Sequence, residues 1–149
     1  MTPIFITGIG TGIGKTVISA IVTRALEGDY WKPIQAGFET GTDSEWVGNQ
    51  LTGTSSITYP EVYKLSMPAS PHIAARKEGI VISIKKICDS IPINNRNLII
   101  EGAGGLMVPL NDSEFVADLI LALKSKVILV SRNYLGSINH SLLTARVCR

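Results

Sequence analysis

Short apolar runs stopped by glycine or polar residues alternate along this chain with segments of helical spacing. Pro3 to Thr7 (PIFIT) is an apolar run ended by Gly8 and reads as a buried strand. After a glycine-rich stretch, Lys15 to Glu27 has helical periodicity, with Val17, Ile18, Ile21, Val22, Ala25 and Leu26 able to share one face and Gly28 as the stop. Tyr30 to Gln35 reads as a second strand. Thr42 and Asp43 can cap a short helix through Leu51. Turn formers with Pro60 and Pro68 make 53–69 a loop, and Ser70-Pro71 has the pattern of an N-cap followed by proline, with Gly79 as the stop. A helix follows Ser83, and Asn94 to Asn97 reads as a turn.

The second half repeats the alternation. Leu98 to Glu101 (LIIE) is a buried strand ending in an acid. Asp112-Ser113 precedes a helix from Glu114 to Leu123, Val127 to Ser131 (VILVS) is a strand, and Gly136-Ser137 opens a last helix. Strands that are apolar throughout, alternating with helices, predict an α/β fold: a mostly parallel, doubly wound sheet with helices on both faces. Four strands are legible, whereas such sheets have about five or more. The last helix runs to Arg149 without a capping residue. The expectation is therefore one domain over 1–149, lacking a C-terminal portion.

Composition narrows the class. With 149 residues, 45% hydrophobic and 17% charged, the chain is long enough for a core and is not of disordered type. A net charge of +2 without a basic run gives no nucleic-acid-binding surface. The apolar stretches are too short to span a bilayer. The N-terminus opens directly on an apolar strand, with no basic n-region or cleavage site. Cys88 and Cys148 are the only cysteines and form no C-x-x-C pair, as in a reduced, cytoplasmic protein.

The strongest chemical signal is Gly8-Ile9-Gly10-Thr11-Gly12-Ile13-Gly14-Lys15-Thr16, between a strand and a helix. Glycines let the backbone bend closely around phosphates, whose charge the loop N–H groups and helix N-terminus accept. Lys15 would neutralise the outer phosphates, and the Thr16 hydroxyl would ligate Mg²⁺. The loop is one residue longer than G-x-x-x-x-G-K-[ST]. A dinucleotide fingerprint fits less well, because Lys15 and Thr16 would be unexplained and no acid ends the second strand. Glu101 ends a buried strand at the edge where such sheets bind ligands, and a glycine run follows it. Mg²⁺ needs one or two carboxylates beside phosphates and waters. Asp43, by chemistry alone, reads as a helix cap. Lys32, in Trp31-Lys32-Pro33-Ile34, could reach solvent or stand near the loop as a fixed cation. His72 and His140 have no partner at metal-ligand spacing and read as structural.

On these residues the chain resembles the dethiobiotin synthetases. The matching pieces are FITGIGTGIGKT (5–16), WKPIQAG (31–37), TDSEWV (42–47), SPHIAA (70–75), LIIEGAGGLMVPL (98–110), FVADLI (115–120) and LGSINHSLLTARV (135–147). They occur in the family's order over nearly the whole chain. The resemblance implies ATP-driven joining of CO₂ to 7,8-diaminononanoate, with ring closure, in biotin synthesis. It implies Mg²⁺ on Thr16, Asp43 and Glu101, and nucleotide contacts from Thr11, Gly12, Ile13, Gly14, Lys15, Thr16 and Val17 and from Asp43, Glu101, Gly102, Ala103 and Gly104. Lys32 and Lys15 would be the catalytic lysines, and Thr11, Lys32 and Ala36 would face substrate. It also implies a homodimer, in which Gly136, Ser137, Ile138 and Asn139 meet the partner's substrate. Ala36 stands where the family often has Ser or Thr, and Gly10 and Gly12 stand where many members carry acids. The family continues past this point, with the base-reading segments there.

Two other readings stand beside this one. A partition-type switch ATPase would share the sheet, but that class has an additional lysine early in its phosphate loop, and this loop has none before Lys15. A non-catalytic remnant, which the expected lack of a C-terminal portion would produce, would bind nucleotide weakly or not at all.

Overall fold

Five parallel strands form the central sheet of the computed structural model, which describes residues 2–93 and 95–148. In chain order the elements are β1 (Ile4–Gly8), α1 (Lys15–Ala25), β2 (Asp29–Trp31), β3 (Ile34–Ala36), α2 (Asp43–Gln50), β4 (Thr58–Tyr59), β5 (Tyr63–Leu65), α3 (Pro71–Lys77), α4 (Ile84–Asp89), β6 (Leu98–Glu101), α5 (Val116–Ala122), β7 (Lys126–Val130) and α6 (Ser137–Val147). The sheet order is β4-β2-β6-β1-β7, and β3 pairs with β5 in a separate two-stranded sheet. The α/β, mostly parallel architecture predicted from the alternation is present.

The register decides which side chains face which layer. Phe5 lies opposite Ile100, and Ile100 opposite Trp31. All three belong to a core shared with Ala74 and Ala75 of α3, Ile84 and Ile87 of α4, and Val116 and Leu119 of α5. The alternate positions Ile6, Ile99 and Tyr30 face α1 and α2, where they pack with Ile18, Val22, Val47 and Leu51. Helices therefore cover both faces. Each large apolar side chain buried here contributes roughly 1.5–3 kcal/mol. A one-residue slip would reverse both faces, so packing fixes the register. That register puts Glu101 on the α1 face, in line with Ile99 and Tyr30.

Several expected elements differ. The strand expected over Tyr30–Gln35 is two strands, broken at Lys32-Pro33. Proline has no N–H for a ladder, and its carbonyl instead accepts from the N–H groups of Val62 and Tyr63, at the start of β5. The loop expected over 53–69 contains β4 and β5, which are too short to show a period. Helix α5 begins at Val116 rather than Glu114, because Phe115 bridges Pro109 and the Glu114 carbonyl accepts from Leu110 N–H. The face predicted for α1 is also only partly right. Ser19, Ala20 and Thr23 are buried, while Val17 and Ile21 are 48% and 57% exposed. Small side chains let α1 lie close to the sheet, and Thr23 donates its hydroxyl hydrogen to the Ser19 carbonyl at 2.7 Å. The expected turn at Asn94 to Asn97 includes Asn94, and the expected last helix ends on Arg149; both residues lie outside the described ones.

Candidate active site

The loop between β1 and α1 crosses the carboxyl edge of the sheet. Gly14 caps α1 at φ 100°, a left-handed conformation that side-chain-bearing residues rarely adopt. Lys15 starts the helix, and its Nζ donates to the Gly10 carbonyl at 2.7 Å, closing the loop on itself. The run after β6 passes close by. A Cβ on Gly105 would stand 3.2 Å from the Gly8 carbonyl oxygen, so the absence of a side chain there eases the approach of the two glycine stretches.

Charged side chains and hydroxyls converge at this edge. Thr16 Oγ1 donates to Glu101 Oε1 at 2.9 Å. Lys32 Nζ lies 3.0 Å from the same Oε1 and 2.6 Å from Asp43 Oδ2. Tyr30 donates its hydroxyl to Glu101 Oε2 at 2.8 Å. Glu101 is 1% exposed and Lys32 5%. Removing such charges from water costs several kcal/mol each, which only close partners offset. Burial alone would lower the Lys32 pKa, but Glu101 and Asp43 outweigh it and hold the ammonium above its ordinary value. Lys15 goes the other way: burial, then the Lys32 charge, lowers it against the pull of Glu101 and Asp43. The Tyr30 phenol is pushed well up by burial and then by the Glu101 charge, so it remains a donor.

Asp43 is not the helix cap its chemistry suggests. Thr42 takes that role, accepting from Glu45 N–H at 3.0 Å while Glu45 Oε2 accepts from Thr42 N–H at 2.8 Å. This leaves the Asp43 carboxylate for Lys32. Gln35 fixes the same corner, accepting from Asp43 N–H at 3.3 Å and donating to the Gly37 carbonyl at 2.7 Å.

A cleft of about 650 Å³ opens over this cluster. Of the residues singled out from sequence, Thr11, Gly12, Gly14, Lys15, Thr16, Val17, Lys32, Ala36, Asp43, Glu101, Ala103 and Gly104 line it. Ile13 does not, because its side chain packs under the loop with Ile6, Ile99 and Val130. Gly102 is buried against the Phe5 ring. Gly136, Ser137, Ile138 and Asn139 lie elsewhere, around a separate open depression with Tyr134, Leu135 and Leu142. Sequence reasoning misses Tyr30, Gln35 and the Pro68–Pro71 wall of the cleft. Tyr30 carries one usable signal: it lies two residues before Lys32, hence on the same face of an extended segment. The histidines stand apart from the cleft, and His140 Nδ1 lies 2.7 Å from the hydroxyl of Tyr134.

Among the described residues no three His, Cys, Asp or Glu side chains gather in one place. The oxygen donors that converge around Lys32 are the Asp43 and Glu101 carboxylates and the Thr16 hydroxyl, all hard oxygens. With phosphate oxygens and waters they suit Mg²⁺. The loop suits a phosphate chain, and Lys15 and Lys32 supply positive charge in the same cleft.

Residues 2–149 match the family described as an AAA domain. The chain is 55% identical over 147 residues to the ATP-dependent dethiobiotin synthetase BioD of Cytophaga hutchinsonii, covering 98% of this chain and 70% of that protein. It is 54% identical over 140 residues to that of Christiangramia forsetii, covering 94% and 66%, and 45% identical over 146 residues to that of Brucella ovis, covering 98% and 68%. The chain belongs to the ATP-dependent dethiobiotin synthetase family. It spans 66% to 70% of the length of these relatives. Family membership bears out the resemblance carried by the motifs, and it disfavours the switch-ATPase reading. No helix among the described residues is long and apolar enough to cross a membrane.

Proposed function

We propose that this chain acts as its relatives are named, closing a cyclic urea on 7,8-diaminononanoate with CO₂ at the expense of ATP. The observation that carries this reading is the meeting of Thr16 and Lys32 on one oxygen of buried Glu101, beside a loop closed by Lys15. Thr16, Asp43 and Glu101 would hold Mg²⁺, which when bound neutralises charge on the outer phosphates.

An amine of the substrate adds to CO₂ and loses a proton, giving a carbamate. A carbamate oxygen attacks the γ-phosphorus, and the bond from phosphorus to the bridging oxygen breaks, releasing ADP. The second amine then attacks the carbonyl carbon, loses a proton and expels phosphate. Little covalent work falls to the protein in such a transfer; positioning and charge carry it. Lys15 sits on the loop, where it meets the outer phosphates. Lys32, kept protonated by Glu101 and Asp43, offers an ammonium to the carbamate and the transferring group. Thr11 and Ala36 border the same cleft and would contact the substrate.

The exposed side chains Leu135, Ile138 and Leu142 beside Gly136–Asn139 support a contact with a second copy of the chain, as in the homodimer the resemblance implies. The test of function is incorporation of labelled CO₂ into an acid-stable product, with ADP formed in equal amount. Product that depends on ATP, Mg²⁺ and the diamine supports the reading. Absence of product when ATP, Mg²⁺ and the diamine are all present would favour the non-catalytic alternative.

A further inference from the structure

A carboxylate as buried as Glu101 needs partners on both oxygens. Its Oε1 takes Thr16 and Lys32, whereas Oε2 takes the Tyr30 hydroxyl at 2.8 Å. Tyr30 is fully buried, and its ring packs with Ala20 of α1 and with Val47 and Leu51 of α2. The register sets it opposite Ile99, two residues before Glu101 and on the same face. A ring needed only to fill space between two helices would not require a hydroxyl aimed at a carboxylate.

We propose that Tyr30 is a positioning residue that orients Glu101, keeping Oε1 toward Thr16 and the magnesium site. This rests on the reading of Glu101 as a metal ligand. Without the hydroxyl, Oε2 would be left buried and unpaired, and the carboxylate would rotate to satisfy it. The packing of α1 against α2 would thus be linked, through one side chain, to the geometry of the metal site.

The test is calorimetric titration of the whole chain with ATP, in EDTA and at increasing Mg²⁺, for wild type and Tyr30→Phe. Phenylalanine keeps the ring and removes only the hydroxyl. Loss of a group that supports a metal ligand weakens metal affinity by roughly 10–100-fold. The expected result is a loss of that size in Mg²⁺ affinity, with metal-free ATP affinity unchanged. Equal Mg²⁺ affinity in the two proteins overturns the inference. So does a parallel loss of metal-free ATP binding, which marks Tyr30 as structural. If Tyr30→Phe does not fold, Tyr30→Met carries the same comparison. A wild-type protein whose ATP binding ignores Mg²⁺ would instead remove the reading of Glu101 on which the inference rests.

Discussion

Glu101 and Lys15 show how much depends on single side chains here. Glu101→Gln keeps the volume and removes the charge. Asp43 still pairs Lys32 at 2.6 Å, so the fold is expected to survive. Mg²⁺-dependent turnover should fall by at least the roughly 10–100-fold that loss of a mere supporting partner costs. Steady-state rates beside a thermal melt check this; full activity would make Glu101 structural. Lys32→Ala is expected to keep Mg·ATP binding and lose turnover, which calorimetry and the same rate assay separate. Lys15 has a pH signature. Its pKa is lowered by burial and by Lys32, so its charge is lost as pH rises through a value below the ordinary 10.5. ATP affinity should accordingly decline on the alkaline side before 10.5 is reached. Titrations of the wild-type chain across that range test this, and an affinity that does not decline there would contradict it. Lys15, Thr16 and Glu101 are legible in the sequence because glycine spacing and strand ends mark them. Asp43 and Lys32 are not decidable from chemistry alone, since a cap and a snorkelling lysine are common outcomes. Only the fold shows that Thr42 takes the cap and that Lys32 is enclosed.

At the scale of elements, helix α2 presents Asp43 because Thr42 and Glu45 cap it reciprocally. Thr42→Ala removes the bond that the Thr42 hydroxyl oxygen accepts from Glu45 N–H and is expected to cost about 1 kcal/mol. In a chain of this size that lowers the melting temperature by roughly 2–4 °C. Because Asp43 is the first helical residue, Mg²⁺ affinity should fall as well; calorimetry with and without metal checks it. The longer apolar strands and capped helices are readable from pattern. The break at Pro33, the short β4 and β5, and the buried small-residue face of α1 are not. Two or three residues show no period, and the tight approach of α1 is a property of the sheet beneath it.

For the whole molecule, alternation announces a parallel sheet but not the order β4-β2-β6-β1-β7, which long-range pairing sets. That order places β1 beside β6, and so brings the loop over Glu101. A ligand that binds only the folded chain stabilises it by about 2.7 kcal/mol at roughly a hundred times its dissociation constant. Mg·ATP should therefore raise the melting temperature, and EDTA should reverse much of the gain. The most direct test of the account is calorimetric titration of the wild-type chain and Lys15→Ala with Mg·ATP. The expected result is saturable binding by the wild type that Lys15→Ala abolishes. Equal affinity in the two proteins would contradict it, because the phosphates would then not lie in the glycine loop.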